Sequence, residues 1–169
     1  TVVDNLSNSK EESLQRVQQL AGRSLAFHQV DLLDRAALRQ VFGAQPFDAV
    51  IHFAGLKAVG ESVSQPLRYY HNNLTGTLTL CEVMAEAGVK KMIFSSSATV
   101  YGEATTFPIP ETCPTASPTN PYGKTKLMIE RMMAWYLRYH GLRYAALRYF
   151  NASGGMPDQG EAHLPETHL

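Results

Sequence analysis

The sequence predicts an α/β fold, an incomplete doubly wound parallel sheet with helices on both faces. Short apolar runs alternate along the 169 residues with longer segments in which apolar side chains recur every three or four positions. The short runs are continuous, which is typical of parallel strands that helices cover on both sides. Because no internal repeat is present, we expect one main domain at residues 1–151, followed by the start of a second region at residues 152–169.

The first half of the chain contains three strand–helix units. Strands are predicted at residues 1–4, 25–30 and 48–53, and helices at residues 11–20, 35–42 and 65–87. Leu14, Val17 and Leu20 recur on one face of the first helix, and Asp34 can cap the second. The third helix is expected to end at Gly88, because glycine readily adopts the left-handed conformation that stops a helix.

The second half contains two further strands on either side of one helix. The strands are predicted at residues 91–95 and 144–149, and the helix at residues 121–139. Met92, Ile93 and Phe94 form the apolar centre of the first of these strands. A loop rich in proline and threonine precedes the helix, and Gly141 follows it as a stop signal.

Composition argues against several classes of function. Fifteen lysine and arginine side chains balance fifteen aspartate and glutamate side chains, so we expect neither nucleic acid nor an anionic membrane as a partner. Two cysteines do not make a disulfide framework, and the six histidines are scattered without metal-ligand spacing. We therefore expect a cytoplasmic protein without a metal site.

Candidate site residues follow from the predicted topology, because ligands of doubly wound sheets bind beyond the carboxyl ends of the strands. These ends hold Asp4, Asp31, Phe53-Ala54-Gly55, Ser95-Ser96-Ser97 and Tyr149-Phe150-Asn151. A carboxylate at Asp4 can accept both ribose hydroxyls of a bound adenosine, although Asp-Asn is also a frequent turn. Small residues at Ala54 and Gly55 allow a cofactor to approach the backbone, but they also suit a plain turn.

Tyr122 and Lys126 form a Y-x-x-x-K pattern at the start of a predicted helix, which places both side chains on one face. A tyrosine hydroxyl normally titrates near pH 10, and a neighbouring ammonium lowers that pKa by favouring the phenolate. Such a pair can remove a proton from an alcohol. The same pattern also occurs on ordinary helix surfaces, so it is informative only together with other residues.

Ser97 ends a buried strand in the same half of the predicted sheet. Its hydroxyl can hydrogen-bond a substrate oxygen beside Tyr122, or it can simply cap a turn. Together with Tyr122 and Lys126 it gives a layout that resembles the short-chain dehydrogenase/reductases. Over nearly its whole length the chain resembles the UDP-glucose 4-epimerases of the extended branch of that family. The segments that resemble this family are residues 4–9, 52–63, 69–73, 94–102, 121–128 and 147–151.

The resemblance implies NAD as the cofactor. The residues implied to bind it are Asp4, Asn5, Leu6, Ser7, Asn8, Ser9, Asp31, Leu32, Phe53, Ala54, Gly55, Leu56, Lys57, Asn73, Ser97, Tyr122, Lys126, Tyr149 and Phe150. Tyr122 is implied as the catalytic acid and base, with Ser97 sharing the substrate hydroxyl and Lys126 holding the nicotinamide ribose. The implied contacts of a UDP-sugar substrate are Lys57, Ser97, Tyr122 and Asn151.

The implied reaction is the interconversion of UDP-glucose and UDP-galactose by oxidation and re-reduction at C4 of the sugar. A nucleotide-sugar 4,6-dehydratase begins with the same oxidation, but the Thr-Asp-Glu triplet of that family is Ser97-Ala98-Thr99 here. A UDP-N-acetylhexosamine 4-epimerase stays open, because the deciding pocket residue is expected beyond Leu169. A non-catalytic NAD-binding regulator or a dimerisation scaffold stays open from other classes, although a regulator need not keep Ser97, Tyr122 and Lys126 together.

Two parts of the family pattern have no counterpart in the sequence. These are the glycine-rich turn after the family's first strand and most of the carboxyl-terminal half. The missing strand is expected to lie between the strands that end at Asp4 and Phe53. The isolated chain should therefore bind NAD poorly and turn over little substrate, because the helix terminus that binds the pyrophosphate is lost. The family also implies a homodimer through the helices at residues 70–84 and 127–137.

Overall fold

Strands and helices alternate in the computed structural model, which describes residues 1–115 and 117–152. The strands are β1 (Val2–Asp4), β2 (Phe27–Gln29), β3 (Val50–His52), β4 (Lys91–Ser97) and β5 (Arg143–Tyr149). The helices are α1 (Glu12–Ala21), α2 (Arg35–Ala44), α3 (Val59–Ser64), α4 (Pro66–Tyr69), α5 (Gly76–Glu86) and α6 (Pro121–His140). A π-helical turn at Tyr70–Thr75 joins α4 to α5, and a 3₁₀ turn at Ala98–Tyr101 follows β4.

The strands form two parallel sheets, β1–β2 and β3–β4–β5. The predicted α/β class and parallel pairing are thereby confirmed. Among the described strands, none pairs with both β1 and β3. The register of β4 and β5 places Ser97 beside Tyr149 at the carboxyl edge. The predicted segment at residues 152–169 lies outside the described residues, apart from its first residue.

Local capping explains where several helices begin and end. The Asp34 carboxylate accepts a hydrogen bond from the Ala37 amide at 2.9 Å, as the sequence predicts for a helix cap. The Asn120 side chain caps α6 by accepting from the Gly123 amide at 2.7 Å. Gly141 ends α6 with φ +69, in the left-handed conformation expected there.

The helix predicted at residues 65–87 is interrupted by the π turn at Tyr70–Thr75. A π turn inserts one extra residue into the helix, and hydrophobic periodicity gives no sign of such an insertion. The short helix α3, Val59–Ser64, was not predicted either, because six residues are too few to show a helical period.

The hydrophobic core lies between α5, α6 and one face of the β3–β4–β5 sheet. It is formed by Leu80, Cys81, Met84, Val89, Met92, Phe94, Ile129, Met133 and Leu142. Ile51, Ile93 and Leu147 point to the opposite face and are exposed by 58, 38 and 40%. Over β3, β4 and β5 the core therefore lies on the face that α5 and α6 cover.

The buried position of Leu80 gives a test of the packing between α5 and the sheet. Leu80 is 4% exposed in the core, and Leu20 on α1 is 62% exposed. We expect Leu80→Ala to lower the free energy of unfolding by about 2–5 kcal/mol, because it removes buried apolar volume. The same change at Leu20 should alter it by less than about 0.5 kcal/mol. Urea denaturation measures both values, and equal losses would contradict the assigned core.

Candidate active site

The carboxyl ends of β1 and β2 hold two carboxylates in an ordered turn. Asp4 Oδ1 accepts hydrogen bonds from the Leu6 amide at 2.7 Å and from the Ser9 hydroxyl at 2.8 Å. The Asn5 side-chain amide donates to Asp31 Oδ2 at 2.7 Å, which links the two strand ends. Leu6 has φ +56, a conformation that non-glycine residues rarely adopt. The hydrogen bond to Asp4 stabilises this unusual backbone, so the turn is shaped by the protein itself.

A groove lies between this turn and the end of β3. It is lined by Val3, Asp4, Asn5, Ser7, Asn8, Val30, Asp31, Leu32, His52, Ala54, Gly55, Leu56, Asn72 and Asn73. Most of the residues predicted for cofactor binding in the first half of the chain are therefore brought together. Ser9 does not line the groove but donates a hydrogen bond to Asp4, which does, and the Phe53 side chain is 65% exposed.

Gly55 allows the end of β3 to approach the π turn closely. Its φ is +146, which L side chains rarely adopt, and a Cβ atom there would lie 3.2 Å from Asn73 Oδ1. The side-chain amide of Asn73 accepts from the Leu56 N–H at 2.8 Å and donates to the Leu56 carbonyl at 3.0 Å. Asn73 thus holds the backbone of the loop that lines the groove.

Ser97, Tyr122 and Lys126 lie together where β4 ends and α6 begins. The Ser97 side chain lies close enough to the Tyr122 phenol to lower the pKa of that phenol. Lys126 Nζ lies 5.7 Å from the centroid of the Tyr122 ring and 4.9 Å from that of Phe94. It donates a hydrogen bond to the Ser95 carbonyl at 2.7 Å. The predicted shared face of the tyrosine and the lysine is thus observed.

Gly123 makes this contact between the helix and the strand end possible. A Cβ atom at Gly123 would lie 3.0 Å from Pro118 Cβ and 3.1 Å from Thr99 Oγ1. Both distances are shorter than ordinary contacts, so a larger residue would push the first turn of α6 away. Tyr122 would then move away from Ser97.

The pKa of Tyr122 does not follow the sequence-based expectation. Burial raises it above the usual value of 10.0, and the hydrogen bond from Ser97 opposes this rise without cancelling it. Lys126 Nζ lies over the Tyr122 ring and donates a hydrogen bond to the Ser95 carbonyl, and burial is the largest influence on the pKa of Tyr122. Tyr122 is accordingly neutral at neutral pH in the protein alone.

Two titratable side chains of the site region, Lys126 and His52, are buried. Burial lowers the pKa of Lys126 from its ordinary 10.5 to about 8. Burial also lowers the pKa of His52 from 6.5 to about 3, and the nearby Lys126 charge adds to this effect. His52 is therefore a neutral imidazole throughout the physiological pH range.

A partly buried ion pair, which the sequence analysis missed, connects α6 to the ends of β4 and β5. Arg148 Nη2 lies 2.7 Å from Glu130 Oε2, and the Ser96 hydroxyl donates to Glu130 Oε1. Arg148 Nη1 also donates to the Tyr101 hydroxyl at 3.2 Å. Glu130 lies one helical turn after Lys126 on the same buried face. A charged residue on the apolar face of the predicted helix was the sequence signal that could have revealed this pair. These bonds fix the strand ends on which the candidate site is built.

The remaining predicted site residues line the open edge of the sheet. Tyr149 and Phe150 are 44 and 60% exposed where β5 ends, and Asn151 is exposed beside them. Lys57 is half-buried in the loop after Leu56.

Within the described residues, no group of three or more His, Cys, Asp or Glu side chains is arranged to hold a metal ion. No described helix is long and apolar enough to cross a membrane.

The sequence from residue 1 to residue 168 matches the NAD dependent epimerase/dehydratase family. The chain belongs to this family. It is 56% identical over 157 residues to the UDP-glucose 4-epimerase of Bacillus subtilis (strain 168), a match that covers 92% of this chain and 46% of that protein. The chain thus spans about half the length of the curated relatives it matches.

Solved structures show the same architecture for this member of the epimerase/dehydratase family. A UDP-glucose 4-epimerase from Bifidobacterium longum in complex with NAD+ and UDP matches with a TM-score of 0.91 and 46% identity, over 95% of this chain and 49% of that chain. The UDP-Glc/GlcNAc 4-epimerase of Campylobacter jejuni matches with a TM-score of 0.82 and 40% identity, over 89% of this chain and 45% of that chain. The predicted fold and family resemblance are confirmed.

The buried ammonium of Lys126 predicts how the free energy of unfolding depends on pH. Its pKa is lowered on folding, so the unfolded chain binds more protons between pH 8 and 10.5. Burial of the charged lysine therefore opposes folding below pH 8, by on the order of 3 kcal/mol. We expect Lys126→Met not to lower the free energy of unfolding at pH 7. Any advantage of the variant should shrink as the pH rises from 8 to 10.5.

The control for this test is Lys124→Met, because Lys124 is exposed on the same helix. Chemical denaturation at several pH values gives the free energy of unfolding of each protein. A stability difference between Lys126→Met and the unmodified protein that is independent of pH would contradict the assignment.

Proposed function

We propose that the intact protein containing this chain interconverts UDP-glucose and UDP-galactose, with NAD as its cofactor. The observation that supports this most directly is the grouping of Tyr122, Ser97 and Lys126 at the end of β4. Such a group can move a proton to and from a sugar hydroxyl, and the relatives named above are 4-epimerases of nucleotide sugars. Residues 1–151 would form the NAD-binding domain, and residues 152–169 the start of the substrate-binding region.

The groove residues fit a dinucleotide. Asp4 lies at the end of a parallel strand, and its Oδ1 accepts hydrogen bonds from the Leu6 amide and the Ser9 hydroxyl. A ribose bound in the groove would meet this carboxylate, as in other dinucleotide sites of doubly wound sheets. The residues proposed to hold NAD besides Asp4 are Asn5, Leu6, Ser7, Asn8, Ser9, Asp31, Leu32, Phe53, Ala54, Gly55, Leu56, Lys57, Asn73, Ser97, Tyr122, Lys126, Tyr149 and Phe150. A bound NAD would supply reversible hydride chemistry at C4 of the sugar.

Tyr122 is the proposed proton acceptor and donor at the sugar 4-hydroxyl. Ser97 Oγ accepts from the Thr99 amide at 3.2 Å and from the Thr99 hydroxyl at 3.0 Å, which leaves its own proton available for donation. Donation of that proton to Tyr122 would stabilise the phenolate. Because burial favours the neutral phenol, the Ser97 hydroxyl is proposed to supply part of the stabilisation when the proton moves. The proposed substrate contacts are Lys57, Ser97, Tyr122 and Asn151.

The rival reactions differ in what they need at the same strand end. Dehydration needs a further acid and base, and the triplet Ser97-Ala98-Thr99 contains no carboxylate. The Thr99 hydroxyl of this triplet donates its hydrogen bond to Ser97 Oγ. A UDP-N-acetylhexosamine 4-epimerase is the better second candidate, because the Campylobacter jejuni neighbour is named a UDP-Glc/GlcNAc 4-epimerase.

A homodimer in the cytoplasm is the proposed state of the protein. The two helical segments expected to pair, residues 70–84 and 127–137, expose Leu78, Met128 and Trp135 by 46, 48 and 58%. These apolar side chains lie on the outer surfaces of α5 and α6. A second copy of the chain would bury them.

The proposed reaction is tested by Tyr122→Phe in the intact protein. The unmodified protein should convert UDP-galactose to UDP-glucose without net consumption of NAD. Loss of the phenol oxygen should lower kcat by about a hundred- to ten-thousand-fold, because the general acid and base is removed. Tyr139→Phe is the matched control, because Tyr139 is 68% exposed on the same helix. Near-equal rates for the two variants would contradict the role of Tyr122.

The proposed dimer is tested by Leu78→Glu, which places a charge in the expected interface. Light scattering coupled to size-exclusion chromatography should show a dimer for the unmodified protein and a monomer for the variant. Leu20→Glu on α1 is the control, and it should remain dimeric. A strictly monomeric unmodified protein at high concentration would contradict the proposal.

A further inference from the structure

We propose that a buried chain of hydrogen bonds positions the loop at Gly55–Leu56, which lines the proposed NAD groove, against the first turn of α6. The chain runs from His52 through Thr77 and Asn73 to Thr125. It connects the end of β3, the π turn, this loop and α6. The inference rests on the proposed function, because it assigns these side chains to the placement of that site. All four side chains are buried. None of them was identified as a positioning residue from the sequence.

The direction of the first two bonds follows from the number of protons available. The Thr77 hydroxyl donates to the Asn73 carbonyl at 2.6 Å, and a hydroxyl has only one proton. His52 Nε2 lies 2.9 Å from the same hydroxyl oxygen, so this nitrogen must donate to it. His52 is therefore the Nε2–H tautomer, with Nδ1 unprotonated. Thr77 joins the imidazole to the backbone of the π turn.

The Asn73 side chain continues the chain in two directions. Its oxygen accepts from the Leu56 N–H, and its nitrogen donates to the Leu56 carbonyl. These two bonds fix which side-chain atom is oxygen and which is nitrogen, because the Leu56 amide can only donate and its carbonyl can only accept. The nitrogen also donates to the Thr125 hydroxyl at 3.2 Å, and the Asn72 side chain donates to the oxygen at 2.9 Å. The amide is thus fully engaged by the protein.

Thr125 joins this network to the catalytic helix. Its hydroxyl donates to the Tyr122 carbonyl at 2.7 Å, and it therefore accepts from Asn73. The carbonyl belongs to the residue proposed as the acid and base. Movement of the Leu56 loop is consequently coupled to the backbone of Tyr122 by three successive hydrogen bonds.

The chain positions groups and does not transfer protons to substrate. His52 lies against the Phe94 ring, with a centroid distance of 5.6 Å, and is 4% exposed. Its lowered pKa keeps it neutral, so its donor and acceptor pattern does not change with pH. A fixed tautomer in a buried site gives a fixed geometry.

Thr77→Val in the intact protein tests the chain, because valine keeps the shape and removes the hydroxyl. Thr79→Val is a matched control. Thr79 lies on the same helix and makes the same kind of bond, to the Thr75 carbonyl at 2.9 Å, but outside this network. Thr77→Ser retains the hydroxyl. The measurements are the dissociation constant of NAD, kcat with UDP-galactose, and ¹⁵N histidine spectra, which distinguish the two tautomers.

Thr77→Val should weaken NAD binding and lower kcat by about ten- to a hundredfold each, because small displacements of reacting groups have effects of this size. Thr77→Ser and Thr79→Val should stay within about threefold of the unmodified protein. The spectra should show His52 as the Nε2–H tautomer, with no titration between pH 5 and 9. If Thr77→Val does not fold, the proposal is tested by the His52 tautomer in the unmodified protein and by the NAD affinity and kcat of Thr77→Ser.

Equal NAD affinity and kcat in Thr77→Val and Thr79→Val would overturn the proposal, and so would an Nδ1–H tautomer in the unmodified protein. A tenfold loss in Thr77→Ser would overturn it as well, since that variant keeps the hydroxyl. Absence of interconversion in the unmodified protein would instead refute the proposed function. The tautomer and the NAD affinities would still test the hydrogen-bonded chain.

Discussion

The close contact between the first turn of α6 and the end of β4 is the constraint on which the candidate site depends. Gly123 permits this contact, and Asn120 fixes where the helix begins. Because the contact is close, Tyr122 reaches Ser97, and Lys126 lies beneath the same ring one turn later. The partly buried Glu130–Arg148 pair then connects the rest of the helix to the neighbouring strand ends. The chemistry proposed here is a consequence of how these elements pack.

This arrangement buries polar groups, and their desolvation is energetically unfavourable. Lys126 is 5% exposed, and the pKa shifts of Lys126, His52 and Tyr122 all favour their neutral forms. Desolvation disfavours the charged form of each group, whatever its sign. The protein offsets the cost with hydrogen bonds to backbone carbonyls and hydroxyls, and no buried side-chain nitrogen or oxygen among the described residues lacks a partner. These hydrogen bonds constrain the buried side chains of the site.

The sequence was a good guide wherever the signal is local. Asp34 and Gly141 could be recognised as caps because a cap depends on a residue and its immediate neighbours. The strand-end positions of Asp4, Asp31 and Ser97 followed from apolar runs and the topology rule for parallel sheets. The family resemblance added NAD, which the residues alone only suggested.

Features that depend on contacts distant in sequence could not be predicted. His52 and Thr77 are 25 positions apart, and Asn73 and Thr125 are 52 positions apart, so no spacing rule connects them. The π turn that brings Asn73 inward leaves no periodic trace. The pKa of Tyr122 was judged from one neighbour, Lys126, although burial is the larger effect. Desolvation is a property of the packed structure and cannot be inferred from a four-residue pattern.

A crystal structure of the intact protein with NAD and UDP-glucose would test the central claim most directly. The account predicts that the Tyr122 phenol oxygen and the Ser97 hydroxyl both lie within about 2.6–3.2 Å of the sugar 4-hydroxyl. Lys126 should remain on the same side of the Tyr122 ring. A sugar whose 4-hydroxyl lies far from both oxygens, or a Tyr122 side chain turned away from Ser97, would contradict the account.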